Sequence, residues 1–208
     1  QRNLDLIGFE YDDKNWRIIP EIKSDEQNVE KVRLFINQND LVNGFIAIAP
    51  GSVWNTKKYP SDYFEVIIKH FVDRKISIVL IGGENDKSIC EIIVSKFNDY
   101  VFNAAGIFSF VESIELLKST KLLLSNDSAP THMGMCADTK VLTIYCSTVP
   151  DFGFYPYNSK SSSISFNDLK CKPCGIHGYE ACPINIFECA MKLLPDQIIL
   201  KAEEMLRD

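Results

Sequence analysis

Between residues 43 and 146, short runs of uninterrupted apolar residues alternate with segments of helical spacing. "GFIAIAP", "ISIVLIGG", "YVFNAAG", "KLLLSN" and "KVLTIYC" are separated by stretches such as "SDYFEVIIKHFVDR" and "NDKSICEIIVSKF". A strand with a polar residue at every second position can leave one face in water, but a continuous apolar run must be covered on both faces. Runs of this kind with helices between them predict a doubly wound, parallel, Rossmann-like α/β sheet of five strands. No self-similarity at a fixed period points to a solenoid instead. With 46% hydrophobic residues over 208 positions, the chain can fill the core of such a domain.

Helices are expected over residues 25–38, with Val29, Val32 and Phe35 or Ile36 on one face, and over 61–74, capped by Ser61 or Asp62. Others are expected at about 85–97, from Phe110 through Ile114 to Leu117, and over 131–137. A last helix, "PDQIILKAEEML", has Pro195 in its first turn and should pack back on the sheet. Residues 1–42 are charged and irregular around Pro20, and read as a linker and approach helix from an N-terminal domain. The chain opens on Gln1, as a piece of a longer protein would; residues 43–208 form the domain proper. Residues 147–190, rich in Ser, Pro, Gly and Cys, carry no predicted element.

A formal net charge of −6 gives no general field for phosphate polymers, so no nucleic-acid partner is expected. No stretch approaches the roughly 18 to 20 apolar residues of a spanning helix, and "QRNLDLIGFE" has no signal pattern, so no transmembrane segment is expected. Of seven cysteines, Cys90, Cys136 and Cys146 lie in apolar surroundings, as reduced, packed thiols of a cytoplasmic protein do.

Open α/β sheets bind ligands at the carboxyl ends of their strands, so the loops there are the places to search. After the first strand, "PGSVWNTKKYP" offers a tight turn, the hydroxyls of Ser52 and Thr56, and Lys57 and Lys58 as counter-charge for a phosphate; alone, it is equally a loop with two surface lysines. After the second, Gly82 and Gly83 allow close backbone approach. Glu84 and Asp86 there could accept from ribose hydroxyls, or Asn85 and Asp86 could merely cap a helix. After the third, Phe108 is either core or a cover for a flat ring. After the fourth, "SNDSAPTH" supplies Asp127 for sugar hydroxyls, Ser128 and the following amides for a pyrophosphate, and His132 about one turn on, which could also be a helix histidine without chemistry.

Together these loops suit a nucleotide diphosphate-sugar. In order, "PGSVWNTKKYP", "LIGGEND", "NAAGIFSFVESIELLKSTKLLLSNDSAPTHMGMCADTKVLTIYCST" and the later cysteines resemble glycosyltransferase family 9, the ADP-heptose:lipopolysaccharide heptosyltransferases and their relatives. The resemblance covers residues 43–206. It implies the C-terminal, nucleotide-sugar-binding half of a two-domain GT-B fold, inverting transfer, no cofactor required for catalysis, and a catalytic base on the N-terminal domain. Carried over, it sets Lys57 with Ser52 on the donor phosphates, Asp86 at the ribose, Phe108 beside the base, and Asp127 on the transferred sugar. The Ser128 and Ala129 amides would meet the pyrophosphate, with His132 nearby; Ala129 stands where the family usually has glycine. The partners implied are an ADP-heptose-like donor and, through the other domain, a lipopolysaccharide-type acceptor, with the whole protein at the inner face of the membrane. A domain of this fold that binds without catalysis, or a GT-B-type nucleotide-sugar epimerase, is the alternative.

Cys171, Cys174, Cys182 and Cys189 form a C-x2-C-x7-C-x6-C cluster with His177 inside. Four thiolates so spaced could bind structural zinc, form disulfides or stay free, and the gaps match no standard zinc ribbon or finger.

Overall fold

A computed structural model describes residues 19–207 together with Leu6, Gly8 and Glu10. The start of the expected linker, residues 1–5, 7, 9 and 11–18, therefore lies outside the described residues. Six parallel strands form one sheet: β1 (Phe45–Ala49), β2 (Ile78–Leu80), β3 (Val101–Asn103), β4 (Thr120–Asn126), β5 (Val141–Tyr145) and β6 (Ser162–Ser165). Their spatial order is β3-β2-β1-β4-β5-β6. The direction of winding reverses between β1 and β4, and the loops leaving those two strands diverge to open a crevice there.

The helices are α1 (Glu26–Gln38), α2 (Ser61–Val72), α3 (Lys87–Val94), α4 (Phe110–Leu117), α5 (Ala129–Cys136), α6 (Glu188–Met191) and α7 (Pro195–Arg207). Apolar strand residues alternate between two cores. Ile46, Ile48, Leu80 and Ile144 meet Phe64 and Ile67 of α2 and Ile198 of α7 on one face. Phe45, Ala47, Val79 and Leu123 meet Val32 of α1, Ile114 and Leu117 of α4 and Met133 of α5 on the other. That double coverage is why the runs are continuous.

Helix ends follow local chemistry with some departures from expectation. The α1 start is capped by Asp25, which accepts from the Asn28 amide at 2.8 Å, but Val29 faces solvent and only Val32 of its apolar face is fully buried. At α2 neither Ser61 nor Asp62 caps: the helix begins at Ser61 after Pro60, with no side-chain cap. The 85–97 segment splits into a single 3-10 turn, Glu84–Asp86, and the shorter α3. The α5 helix starts two residues before the expected 131, because Pro130 fits a first turn that needs no N–H of its own. At α4, Ser109 and Glu112 close a reciprocal capping box.

The sixth strand corrects the expected five. "SSIS" has no apolar run to announce it, and only Ile164 reaches the core. Backbone pairing to β5, from Leu142↔Ser162 to Tyr145↔Ser165, holds it at the sheet edge. Lys172 fastens the same edge by donating to Ser165 Oγ and to the carbonyls of Tyr145 (2.9 Å) and Phe166 (3.2 Å). Burial lowers its pKa, but these acceptors satisfy the ammonium.

One glycine in the described core has a sign-reversing role. A Cβ on Gly134 of α5 would stand 2.5 Å from Val141 Cγ2 and 3.1 Å from Leu123 Cδ2. Alanine normally gains about 1 kcal/mol over glycine inside a helix, whereas overpacking costs about 1–3 kcal/mol. Gly134→Ala should therefore destabilise by about 1 kcal/mol, read as a lower urea midpoint at unchanged slope.

Candidate functional site

At the carboxyl ends of β1, β2 and β4, a cavity of about 650 Å³ opens in the crevice. The β1 loop contributes Gly51, Ser52 and Lys58, and the β2 loop contributes residues 82–86. Phe108 and Phe110 stand on the α4 side, and Ser128, Ala129 and Pro130 come from the β4–α5 turn. Of the residues expected to bind, Ser52, Asp86, Phe108, Ser128 and Ala129 thus line one cavity, while Lys57 and Asp127 pair beside it and His132 does not line it.

Asn126 sets the shape of this rim. Fully buried at the end of β4, its amide nitrogen donates to the carbonyls of Pro50 (2.8 Å) and Gly51 (3.3 Å). Its oxygen accepts from the Tyr59 N–H at 3.0 Å. One side chain therefore binds both ends of the β1 loop to the β4 turn. The Tyr59 hydroxyl, itself buried, donates to the Leu193 carbonyl at 2.6 Å and ties that loop to the C-terminal segment.

Within the loop, a 3-10 turn at Asn55–Lys57 ends on Lys57 and aims its ammonium at Asp127. The Lys57 Nζ to Asp127 Oδ2 distance is 2.7 Å, and the Thr148 hydroxyl donates to the same oxygen at 2.7 Å. Side-chain exposures of 14% and 8% make this a nearly desolvated ion pair, different in kind from the surface pairs elsewhere. His132 is an exposed residue of α5 near this pair, its ring 6.3 Å, edge-on, from that of Phe154. Partial desolvation of the ring, despite its exposed position, holds its pKa below the ordinary histidine value; Asp127 pulls the other way, and Lys57 adds to the lowering.

Asp86 is more constrained than the sequence suggests. Its carboxylate accepts from the Gly83 N–H at 3.0 Å and packs against glycine backbone: a Cβ on Gly51 would lie 2.0 Å from Asp86 Oδ1, and one on Gly82 2.6 Å from Asp86 Cβ. Both glycines are needed for that close approach. Glu84, on the same turn, keeps its carboxylate in solvent, with Lys87 3.8 Å away. Phe108 is backed by the edge of Phe35 at 5.2 Å and by the Lys31 ammonium 5.4 Å from its centroid. At the β4–α5 turn Ser128 is the extended residue before the helix, and its hydroxyl donates to the Asn126 carbonyl. Pro130 has no N–H, so the amide positions at that wall are Ser128 and Ala129.

Sequence reasoning missed the roles of Asn126 and Thr148; a buried polar residue ending an apolar strand was the available signal for the first, and nothing local marked the second. The four clustered cysteines are free thiols, Cys171 exposed and Cys189 buried. Burial pushes the Cys182 thiol up, but the backbone amides of Phe187, Ile184, Ile186 and Asn185 outweigh it and leave its pKa below the usual value. Among the described residues, no group of three or more His, Cys, Asp or Glu is arranged to hold a metal ion.

Sheet order, crevice and cavity define an open, doubly wound α/β domain of Rossmann-like type. The chain belongs to glycosyltransferase family 9 (heptosyltransferase), whose family model matches residues 2–179. It is similar to lipooligosaccharide heptosyltransferase 2 of Campylobacter jejuni, 24% identical over 179 residues, covering 82% of this chain and 55% of the relative. Among solved structures, it superposes on Escherichia coli ADP-heptose LPS heptosyltransferase II with a TM-score of 0.73 at 19% identity, covering 96% of this chain and 60% of the other. A glycosyltransferase family 9 protein from Veillonella parvula gives a TM-score of 0.77 at 19% identity, covering 89% and 53%. At such identities the superpositions establish the fold. The chain spans about half the length of these relatives.

Proposed function

We propose that this chain is the donor-binding half of an inverting glycosyltransferase, holding a nucleotide diphosphate-sugar such as ADP-heptose for transfer to a lipopolysaccharide-type acceptor. The observation that supports it most is the near-desolvated Lys57–Asp127 pair standing beside the Ser128–Ala129 turn at one cavity. In this reading the diphosphate lies along that turn, with Ser52 nearby, and Lys57 turns toward it. Asp127, still held by Thr148, is then free to accept from hydroxyls of the transferred sugar. The ribose falls at the Asp86 turn, where Glu84 has the freer carboxylate, and Phe108 flanks the base, with His132 on the sugar side.

The chemistry is a single displacement. A base on the other domain removes the acceptor's proton as its oxygen attacks the anomeric carbon, and the diphosphate leaves from the opposite face. Negative charge grows on the leaving oxygens, and Lys57 with the Ser128 and Ala129 amides stabilises it without a metal ion. The chain by itself then binds donor without turning it over. Among the described residues no helix is long and apolar enough to cross a membrane, and we place the whole protein at the inner membrane face through its acceptor.

Calorimetric titration of the chain tests this. Saturable binding of ADP, tighter for an ADP-sugar and much weaker for adenosine, is the expected result. Failure to bind any nucleoside diphosphate would overturn the reading.

A further inference from the structure

The cysteine-bearing segment reaches the lysine turn and is sewn to it. Thr56, buried to 2% exposure, donates its N–H to the Tyr179 carbonyl at 3.0 Å and accepts the Tyr179 N–H on its hydroxyl oxygen at 2.7 Å. The same hydroxyl oxygen accepts from Ser147 at 3.1 Å, and the Ser147 carbonyl accepts from the Cys174 N–H at 2.8 Å. Gly178 lies buried between these contacts. It adopts φ +81, and a Cβ on it would meet Lys57 Cγ and Thr56 Oγ1 at 3.0 Å each and Ser147 Oγ at 3.3 Å. No atom of this strap lines the cavity, yet Lys57 has its main-chain neighbour clamped and its side-chain stem packed by it.

We propose that residues 174–179 are a positioning strap for the diphosphate subsite: Gly178 and Tyr179 lock Thr56 and pack the Lys57 stem, so that its ammonium stays within reach of both Asp127 and the phosphates, fixing phosphate affinity from outside the pocket. The idea rests on the donor-binding reading for its consequence, but not for its geometry. A long, flexible lysine on an exposed loop would have to surrender side-chain freedom on binding an anion, worth up to about 2 kcal/mol. A lysine whose backbone and stem are already held gives up less, since only its ammonium swings from Asp127 to the phosphates. The strap thereby explains why a loop with no cavity residue, carrying two glycines and a cysteine, is folded back onto the β1 loop.

Two variants test it in the full chain, with Thr56→Ser as the conservative control. Gly178→Ala puts a methyl group against the Lys57 stem, in a backbone region that also disfavours it. Thr56→Val keeps the shape and removes the acceptor for Tyr179. The first readout needs no ligand: the His132 titration followed by NMR. Lys57 and Asp127 are the charged groups that act on this ring, and Lys57 depresses its pKa. Displacing Lys57 should move the His132 midpoint up in both variants and leave it in place in Thr56→Ser. The second readout is calorimetric: ADP affinity should fall about tenfold or more, the scale of one charge-assisted contact, while the weak affinity for adenosine stays. Thermal melts identify a variant that fails to fold, and the other then carries the test. A His132 midpoint unchanged in a folded variant overturns the strap, whatever happens to affinity. A shifted midpoint in a chain whose wild type binds no nucleoside diphosphate supports the strap and overturns the donor-binding reading instead.

Discussion

Lys57→Ala should lower nucleoside diphosphate affinity about 100-fold, and Asp127→Asn should raise it. The first figure corresponds to nearly 3 kcal/mol, the upper range for a hydrogen bond to a charged group. Part of it is the lost cation. The rest arises because Asp127, at 5% exposure, then faces the incoming phosphates with the Thr148 hydroxyl on its carboxylate, a neutral donor that cannot cancel its charge. Breaking a nearly desolvated pair also costs the free protein about 3 kcal/mol, so the alanine variant should melt several degrees lower. In Asp127→Asn, by contrast, a negative charge beside the phosphates disappears and Lys57 is released toward them. ADP should bind a few-fold tighter, while the advantage of an ADP-sugar over ADP vanishes, because the carboxylate that accepts from the sugar is gone. Titrations of both variants with ADP and an ADP-sugar measure this. Equal losses in the two variants would show that the pair is a structural bridge without a role in the donor site.

Asn126→Ala should be the most destabilising single change at the rim. Three backbone groups, the Pro50 and Gly51 carbonyls and the Tyr59 N–H, lose their partner, and the Pro50 carbonyl and Tyr59 N–H do so where they are buried from water. An unsatisfied buried group costs about 1–3 kcal/mol. Water can reach the Gly51 side through the cavity, so we expect about 4 kcal/mol in total, a large share of a domain's ordinary stability of about 5–15 kcal/mol. Asn126→Asp is no rescue: it keeps an acceptor for Tyr59 but turns a carboxylate oxygen toward two carbonyls. Denaturant melts give the magnitude. Hydrogen exchange at residues 51–59 should accelerate well before global unfolding, since this loop loses its anchor while both cores stay packed.

These two sites also separate what was readable locally from what was not. The five continuous strands and the parallel sheet could be read from residues close in sequence, because burial on both faces leaves an unbroken apolar run. The Ser109–Glu112 box was as local but was not recognised. The β6 strand could not be read that way. Its side chains are mostly polar and half-exposed, and what makes it a strand is the unpaired backbone edge that β5 offers some 20 residues away.

The site divides in the same manner. Residue types and their order along the chain named Ser52, Lys57, Asp86, Phe108, Asp127, Ser128, Ala129 and His132 as candidates, and the family likeness gave each a role. Tertiary structure decided which of them touch: Lys57 finds Asp127 across 70 positions, and Asp86 nests on Gly51. Asn126 reaches back to Pro50, and Tyr179 clamps Thr56 from 123 positions away. Local chemistry fixes elements, because propensity and apolar spacing act over a few residues. Partnership between side chains is fixed only when the sheet order brings distant strand ends to one edge, where desolvation makes an unpaired charge or amide too costly to leave alone.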